Sequence, residues 1–240
     1  MLSNRLNLDD LQMKGMKNYI QIAGVHDLEE AKLIADCGAS AIGFPLRLPS
    51  NEPQPDLSEA EAKTIIQNIE KRVTSVLITY LRNTHDILAL CKYVKWVQLH
   101  GDIEREEVKE LKKLEPSLNI IKSLVVGRYD EKTLLSLVKS FSPFVDAFIT
   151  DTFDPETVAY GATGKTHDWN ISRKIVLASS KPVILAGGLT PQNVKQAILY
   201  VKPAGVDVHS GVENKWGEKD PELVKLFIDE ALKGFQNIKN

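Results

Sequence analysis

Short β-rich runs alternate with longer amphipathic stretches eight times along this chain, and nothing else in the sequence narrows the fold as much. The runs are Tyr19–Ala23, Ala41–Phe44, Val73–Thr79, Trp96–Leu99, Ile120–Val125, Ala147–Thr150, Val183–Ala186 and Val206–Val208. Most are unbroken apolar stretches. Half-exposed strands would alternate, whereas strands covered on both faces of a parallel sheet read this way. The intervening segments carry helix signals. Asp27 precedes Leu28-Glu29-Glu30, with Glu30 three residues on as in a capping box, and Gly38 closes the stretch. Ser58-Glu59-Ala60-Glu61 repeats the opening pattern. Further helices are expected over Thr84–Lys92, Glu104–Leu114, Glu131–Ser140, Trp169–Ala178, Pro191–Val201 and Pro221–Gly234. Thr190-Pro191 and Asp220-Pro221 each place an N-cap residue before a helix-starting proline.

Eight strand–helix units in 240 residues predict an α/β chain folded as one (β/α)₈ TIM barrel. Residues 1–18 read as an N-terminal extension and residues 19–240 as the barrel. An open doubly wound sheet is the rival. It usually has fewer strands at this length and often a Gly-rich first turn, and this chain shows neither. Charge is nearly balanced, 30 Lys+Arg against 32 Asp+Glu, which argues against a nucleic-acid binder. No apolar run approaches the roughly 18 residues that a membrane span needs. Met1 to Gly15 is polar and lacks the apolar region of a signal peptide, so a cytoplasmic protein is expected. Cys37 and Cys91 are too few for a disulfide framework, and their places in expected helices suggest packing. No His, Cys, Asp and Glu spacing suits a metal.

In a barrel, chemistry gathers where the strands end. Gly187-Gly188 follows the seventh strand and Ser210-Gly211 the eighth. Small residues in two neighbouring loops let backbone N–H groups close on a phosphate, although either pair alone also suits a tight turn. Asp151 ends the sixth apolar run and is a candidate general acid or base, or else a turn residue. His100 ends the fourth run, as substrate contact or strand cap. Asp207 lies inside the last run, facing the barrel mouth or pairing with a basic neighbour. His26 and His209 stand on rim loops. Gly161–Thr166 contains Gly-x-x-Gly-Lys-Thr, two residues short of a Walker A loop; it reads as a hinged lid or an ordinary long loop.

Four segments together resemble phosphoribosylanthranilate isomerase. They are Gln98-Leu99-His100-Gly101-Asp102, Gly161 to Trp169, Pro182 to Val194 and Gly205 to Glu213, in order and in register, within a likeness covering residues 19–235. The resemblance implies an Amadori rearrangement of N-(5′-phosphoribosyl)anthranilate in tryptophan biosynthesis, without cofactor. It implies Asp151 as the general acid, His100, Asp207 and Gly164 as substrate contacts, and Gly187, Gly188, Ser210 and Gly211 as the phosphate cradle. The implied partners are a small phosphorylated substrate, neither nucleic acid nor membrane, with the protein a monomer or homodimer.

Three positions depart from the family pattern. The family's base is a Cys ending the first strand, where this chain has Ala23. Its Arg for the anthranilate carboxylate falls in Ser50-Asn51-Glu52-Pro53, which has none, although Arg47 is nearby. His209 stands where a Ser is usual. A positioned base contributes about 10²–10⁴-fold, or about 3–5 kcal/mol. Three readings therefore stand: an isomerase with its base relocated to His26 or His209, a diverged enzyme acting on another phosphorylated sugar or small phosphate ester, and a barrel that only binds such a ligand.

Overall fold

The structure, a computed structural model, describes residues 16–49, 57–154, 159–160 and 166–238. The barrel strands are β1 (Tyr19–Ala23), β2 (Ala41–Pro45), β3 (Thr74–Thr79), β4 (Trp96–Leu99), β5 (Asn119–Val126), β6 (Ala147–Asp154), β8 (Val183–Leu185) and β9 (Gly205–Val208). They are parallel and run in the order β5-β4-β3-β2-β1-β9-β8-β6, and a β5–β6 pairing closes the ring. The expected (β/α)₈ barrel is therefore the fold, and the open sheet is excluded. Between and after the strands lie α1 (Leu28–Asp36), α2 (Glu59–Ile69), α3 (Thr84–Leu90), α4 (Arg105–Leu114), α5 (Glu131–Phe141), α6 (Trp169–Ala178), α7 (Val194–Val201) and α8 (Pro221–Ile238).

Strand parity explains the unbroken apolar runs. Ile20, Ile22, Ile42, Leu77, Val97, Ile120 and Phe148 belong to the large core between the strands and the helices. Their neighbours Tyr19, Ala41, Val76, Trp96, Ile121, Ala147 and Ile149 form a separate cluster with Met16 and plug the barrel. Both faces of each strand are buried, so neither parity can be polar until the strand approaches the mouth. Each fully buried Ile or Phe contributes about 1.5–3 kcal/mol. Cys37 and Cys91 fall at helix ends, and burial pushes the Cys91 thiol up to about 12, so it packs rather than reacts.

Three local expectations change. The sixth strand continues through Asp154: Asp151 and Thr152 still pair with Val125 and Val126 of β5, and Phe153 and Asp154 pair with a two-residue antiparallel strand, β7 (Ala159–Tyr160). Asp151 is thus a strand residue and does not open a loop. The helix expected from Pro191 begins at Val194. Asn193 Oδ1 accepts from Thr190 N at 2.8 Å, its Nδ2 donates to the Gly188 carbonyl at 2.9 Å, and Thr190–Asn193 is spent on that turn. Asp27 caps α1 as expected, accepting from Glu30 N at 2.8 Å. Glu30, however, does not return to Asp27. Its carboxylate accepts from His26 N at 2.9 Å and from Lys219 N at 2.7 Å, tying the first loop to the last. The box at Ser58 and Glu61 forms in full.

Candidate active site

The C-terminal strand ends open into one cavity of about 630 Å³. Asp151, His100, Asp207, Gly187, Gly188, Ser210 and Gly211 all line it. Gly164 lies outside the described residues. Parity sets the polar layer. One step above the apolar plug, the inward positions are Gln21 on β1, Gln98 on β4 and Asp207 on β9, with Gln21 and Asp207 in direct register. Tyr19 Oη donates to Gln21 Oε1 at 2.7 Å, and Gln21 Nε2 donates to Gln98 Oε1 at 3.1 Å. This buried ladder is legible only once the barrel is assumed and each strand is numbered by face.

At the next layer stand the candidate proton donor and its neighbour. Asp151 Oδ1 accepts from Thr152 N at 2.7 Å, and Oδ2 lies 3.9 Å from His100 Nε2. His100 is buried, with Nδ1 2.9 Å from Ser123 Oγ and its ring against Tyr80. Burial, and then the Lys122 cation, push its pKa down to about 3, so the imidazole is neutral. With Ser123 donating to Nδ1, the Nε2–H faces Asp151. Lys122 is itself buried behind β4, where it donates to the Gly101 and Ser123 carbonyls at 3.1 and 3.0 Å. Burial brings that ammonium down to about 8. Nothing in the sequence marked Lys122, which lies inside an apolar run.

Two loops make the opposite corner. Gly187 and Gly188 have φ of +95° and +60°, a conformation that costs other residues energy. Among the described residues, their N–H groups donate to no backbone or side-chain acceptor. A Cβ on Gly187 would sit 2.1 Å from Thr152 Oγ1, and one on Gly211 would sit 1.9 Å from the Leu189 carbonyl oxygen. The corner is therefore a close fit of backbone on backbone. Behind it, Thr152 Oγ1 lies 2.9 Å from His167 Nδ1, and His167 Nε2 lies 2.5 Å from Ser172 Oγ. This pins β6 beside Gly187.

The far side of the cavity is apolar, with Phe44, Leu46, Leu48, Leu57 and Ile78. Trp216, 73% exposed, stands on its rim. Arg47 is held by Glu59, with Nε–Oε1 at 2.5 Å and Nη2–Oε2 at 3.1 Å. Among the described residues, no group of three or more His, Cys, Asp or Glu is placed to hold a metal ion. No described helix is long and apolar enough to cross a membrane.

A family model described as N-(5′-phosphoribosyl)anthranilate (PRA) isomerase matches residues 20–230, the whole barrel from β1 into α8. The chain belongs to the phosphoribosylanthranilate isomerase family. It is 38% identical over 224 residues to N-(5′-phosphoribosyl)anthranilate isomerase 2 of Methanosarcina mazei, covering 92% of this chain and 97% of that one. It is 33% identical to the isomerase of Haloferax volcanii, over 88% and 92% of the two chains. The Thermotoga maritima phosphoribosyl anthranilate isomerase superposes with a TM-score of 0.76 at 30% identity, over 90% and 99% of the chains. Another isomerase of the family, crystallised with reduced 1-(o-carboxyphenylamino)-1-deoxyribulose 5-phosphate, superposes at 0.73 and 27% identity, over the same shares.

Within this isomerase-family barrel, Asp207 carries a measurable electrostatic cost. It is buried, and its Oδ1 has no hydrogen-bond partner among the described residues. Burial lifts its pKa from 3.8 to about 7, against the pull of Gln21 and Lys219. The folded state thus holds this proton more tightly than the unfolded chain, and stability falls as pH climbs from about 4 to about 7. The full cost above that window is at most about 4 kcal/mol, at about 1.4 kcal/mol per unit. Asp207→Asn should therefore melt close to wild type in acid and several degrees higher above neutrality, at ~2–4 °C per kcal/mol. Melting curves whose difference stays constant with pH would contradict this account.

Proposed function

We propose that this protein catalyses the Amadori rearrangement of N-(5′-phosphoribosyl)anthranilate, a step of tryptophan biosynthesis. One observation carries the proposal. A buried carboxyl on β6, Asp151, shares a cavity with a backbone corner whose Gly187 and Gly188 N–H groups have no acceptor among the described residues. The substrate has matching ends, a phosphate and an aryl group, with the reacting sugar between them.

The phosphate enters the corner of Gly187, Gly188, Ser210 and Gly211, where N–H groups offset its charge. The aryl ring lies toward Phe44, Leu46 and Leu57. Asp151 gives its proton to the ring oxygen, the C1–O bond breaks, and the anthranilate nitrogen lone pair closes a C1=N iminium. Neutral His100 holds Asp151 from behind and touches substrate, and Asp207 accepts from a sugar hydroxyl. Gly164 contacts substrate in the same reading. The protein works in the cytoplasm on a small phosphorylated substrate, as a monomer or homodimer, without nucleic acid, membrane or cofactor.

A second reading has one observation in its favour. Arg47 is engaged by Glu59 and does not line the cavity, so it offers an aryl carboxylate no partner there, which suits a phosphorylated sugar without that group. Anthranilate fluorescence decides between them. The purified protein should consume N-(5′-phosphoribosyl)anthranilate, formed in place from ribose 5-phosphate and anthranilate, and its gene should restore growth of a tryptophan auxotroph that lacks the isomerase. Failure in both assays would transfer the case to the second reading.

A further inference from the structure

We infer that His209 is the base that removes the C2 proton in this rearrangement, reaching from the end of β9 over the end of β1. The inference rests on the reaction proposed above. Once the iminium has formed, the C2–H bond breaks and its proton passes to the imidazole. The bonding pair becomes the C1=C2 double bond, and the C=N pair returns to nitrogen. The resulting enol becomes the ketone when O2 releases its proton and C1 takes one up, so no proton is gained or lost overall.

Four observations place His209 there. First, β1 ends at Ala23, which lines the cavity with a methyl group and accepts no proton. Second, Gly24 follows, and a Cβ on it would lie 2.0 Å from His209 Nε2. The imidazole occupies the space that every other residue at 24 would fill, and so brings Nε2 against the residue that follows Ala23. Third, a partner awaits the proton. Glu213 Oε1 lies 3.4 Å from Nε2, fixed by Lys219, which has no exposed side-chain surface and reaches Glu213 at 2.5 Å and the His209 carbonyl at 3.1 Å, so the imidazolium formed at Nε2 gains a carboxylate beside it. Fourth, 34% of the His209 side chain remains open, and the residue lines the cavity.

The other imidazoles are placed for other work. His26 is tied through its backbone N–H and its Nδ1 to Glu30, at 2.9 and 3.1 Å. His100 stands beside the proton donor itself. Glu213, Lys219 and His26 are the charged or titratable groups around His209, with Glu30 behind Lys219. Burial, Lys219 and His26 hold its proton affinity down, so the free enzyme presents a neutral imidazole. A phosphate dianion against Ser210 and Gly211, the next two residues, raises that affinity once substrate is bound.

The test compares wild type, His209→Gln and His209→Gln/Ala23→Cys on N-(5′-phosphoribosyl)anthranilate, with and without deuterium at C2. Melting temperature with and without inorganic phosphate reports the fold and the cradle. His209→Gln should lose ~10²–10⁴-fold in kcat. Its KM should stay within about threefold and its phosphate-dependent melting shift should be unchanged, because binding is intact and only proton removal is lost. Its deuterium isotope effect should exceed that of wild type, because C2–H cleavage has become the slow step. The thiol of Ala23→Cys, introduced beside the same space, should recover at least tenfold. Activity within threefold of wild type in His209→Gln overturns the inference, as does a kcat loss with no larger isotope effect and no rescue by Ala23→Cys. Absence of turnover in the wild type instead overturns the proposed function.

Discussion

Asp151→Asn is expected to lower kcat by ~10²–10⁴-fold while leaving KM within about threefold. The sugar ring opens only when its oxygen receives a proton, and an amide has none to give at that acidity. The loss corresponds to about 3–5 kcal/mol of transition-state stabilisation. Structure should survive the change. The amide oxygen can still accept from Thr152 N, the 2.7 Å bond that orients the carboxyl, and the neutral His100 can move its proton to Nδ1, donating to Ser123 Oγ, so that Nε2 faces the amide nitrogen as an acceptor. Melting temperature should therefore move little. Initial rates from anthranilate fluorescence, with circular dichroism for the fold, provide the check. A variant keeping more than about a tenth of wild-type kcat would remove Asp151 from the acid's role.

The barrel was readable because its constraint is periodic. A strand buried on both faces needs apolar residues at both parities, and Tyr19–Ala23 and Trp96–Leu99 were found to the residue for that reason. Where the strand signal ended, the reading ended too. Residues beyond Thr150 look like loop because Asp151 and Asp154 are polar, yet they continue β6 through pairing first with β5 and then with β7. Pro191 has the propensity to start a helix, but Thr190–Asn193 forms a turn that the Asn193 side chain ties to Thr190 N and the Gly188 carbonyl, and the helix begins at Val194. Local propensity loses wherever a side chain supplies an alternative bond.

The site divides along the same line. Gly187-Gly188, Ser210-Gly211, Asp151 and His100 were found because they stand where the apolar runs end, and a barrel turns strand ends into a mouth, whereas Asp207 was found as a carboxylate interrupting the last run and matching the family pattern. Lys122 and Gln21 were hidden, and Gln98 was seen only as part of a motif, because each sits within a strand, where only the face decides whether it meets the cavity or the core. The Glu30–Lys219 contact joins residues 189 positions apart and leaves no local trace. The place of His209 depends on a missing Cβ one strand away, at Gly24, which reads in sequence as an ordinary turn glycine.

The second large effect is expected at Gly211, where the change is steric. Gly211→Ala places a methyl group 1.9 Å from the Leu189 carbonyl oxygen, far inside van der Waals contact. That oxygen belongs to backbone, so no rotamer relieves the clash, and the β8 and β9 loops must part. Overpacking of this kind costs about 1–3 kcal/mol, occasionally more. At ~2–4 °C per kcal/mol for a domain of this size, the melting temperature should fall by several degrees. The same displacement separates Gly187 and Gly188 from Ser210, so the phosphate loses converging donors. The expected kinetic signature is the reverse of that for Asp151→Asn, with KM raised at least about tenfold and kcat retained within about threefold at saturation. The phosphate-dependent melting shift should shrink in parallel. If Gly211→Ala melted lower yet kept its KM and its phosphate shift, the two loops would be structural neighbours only, and the phosphate would bind elsewhere in the mouth.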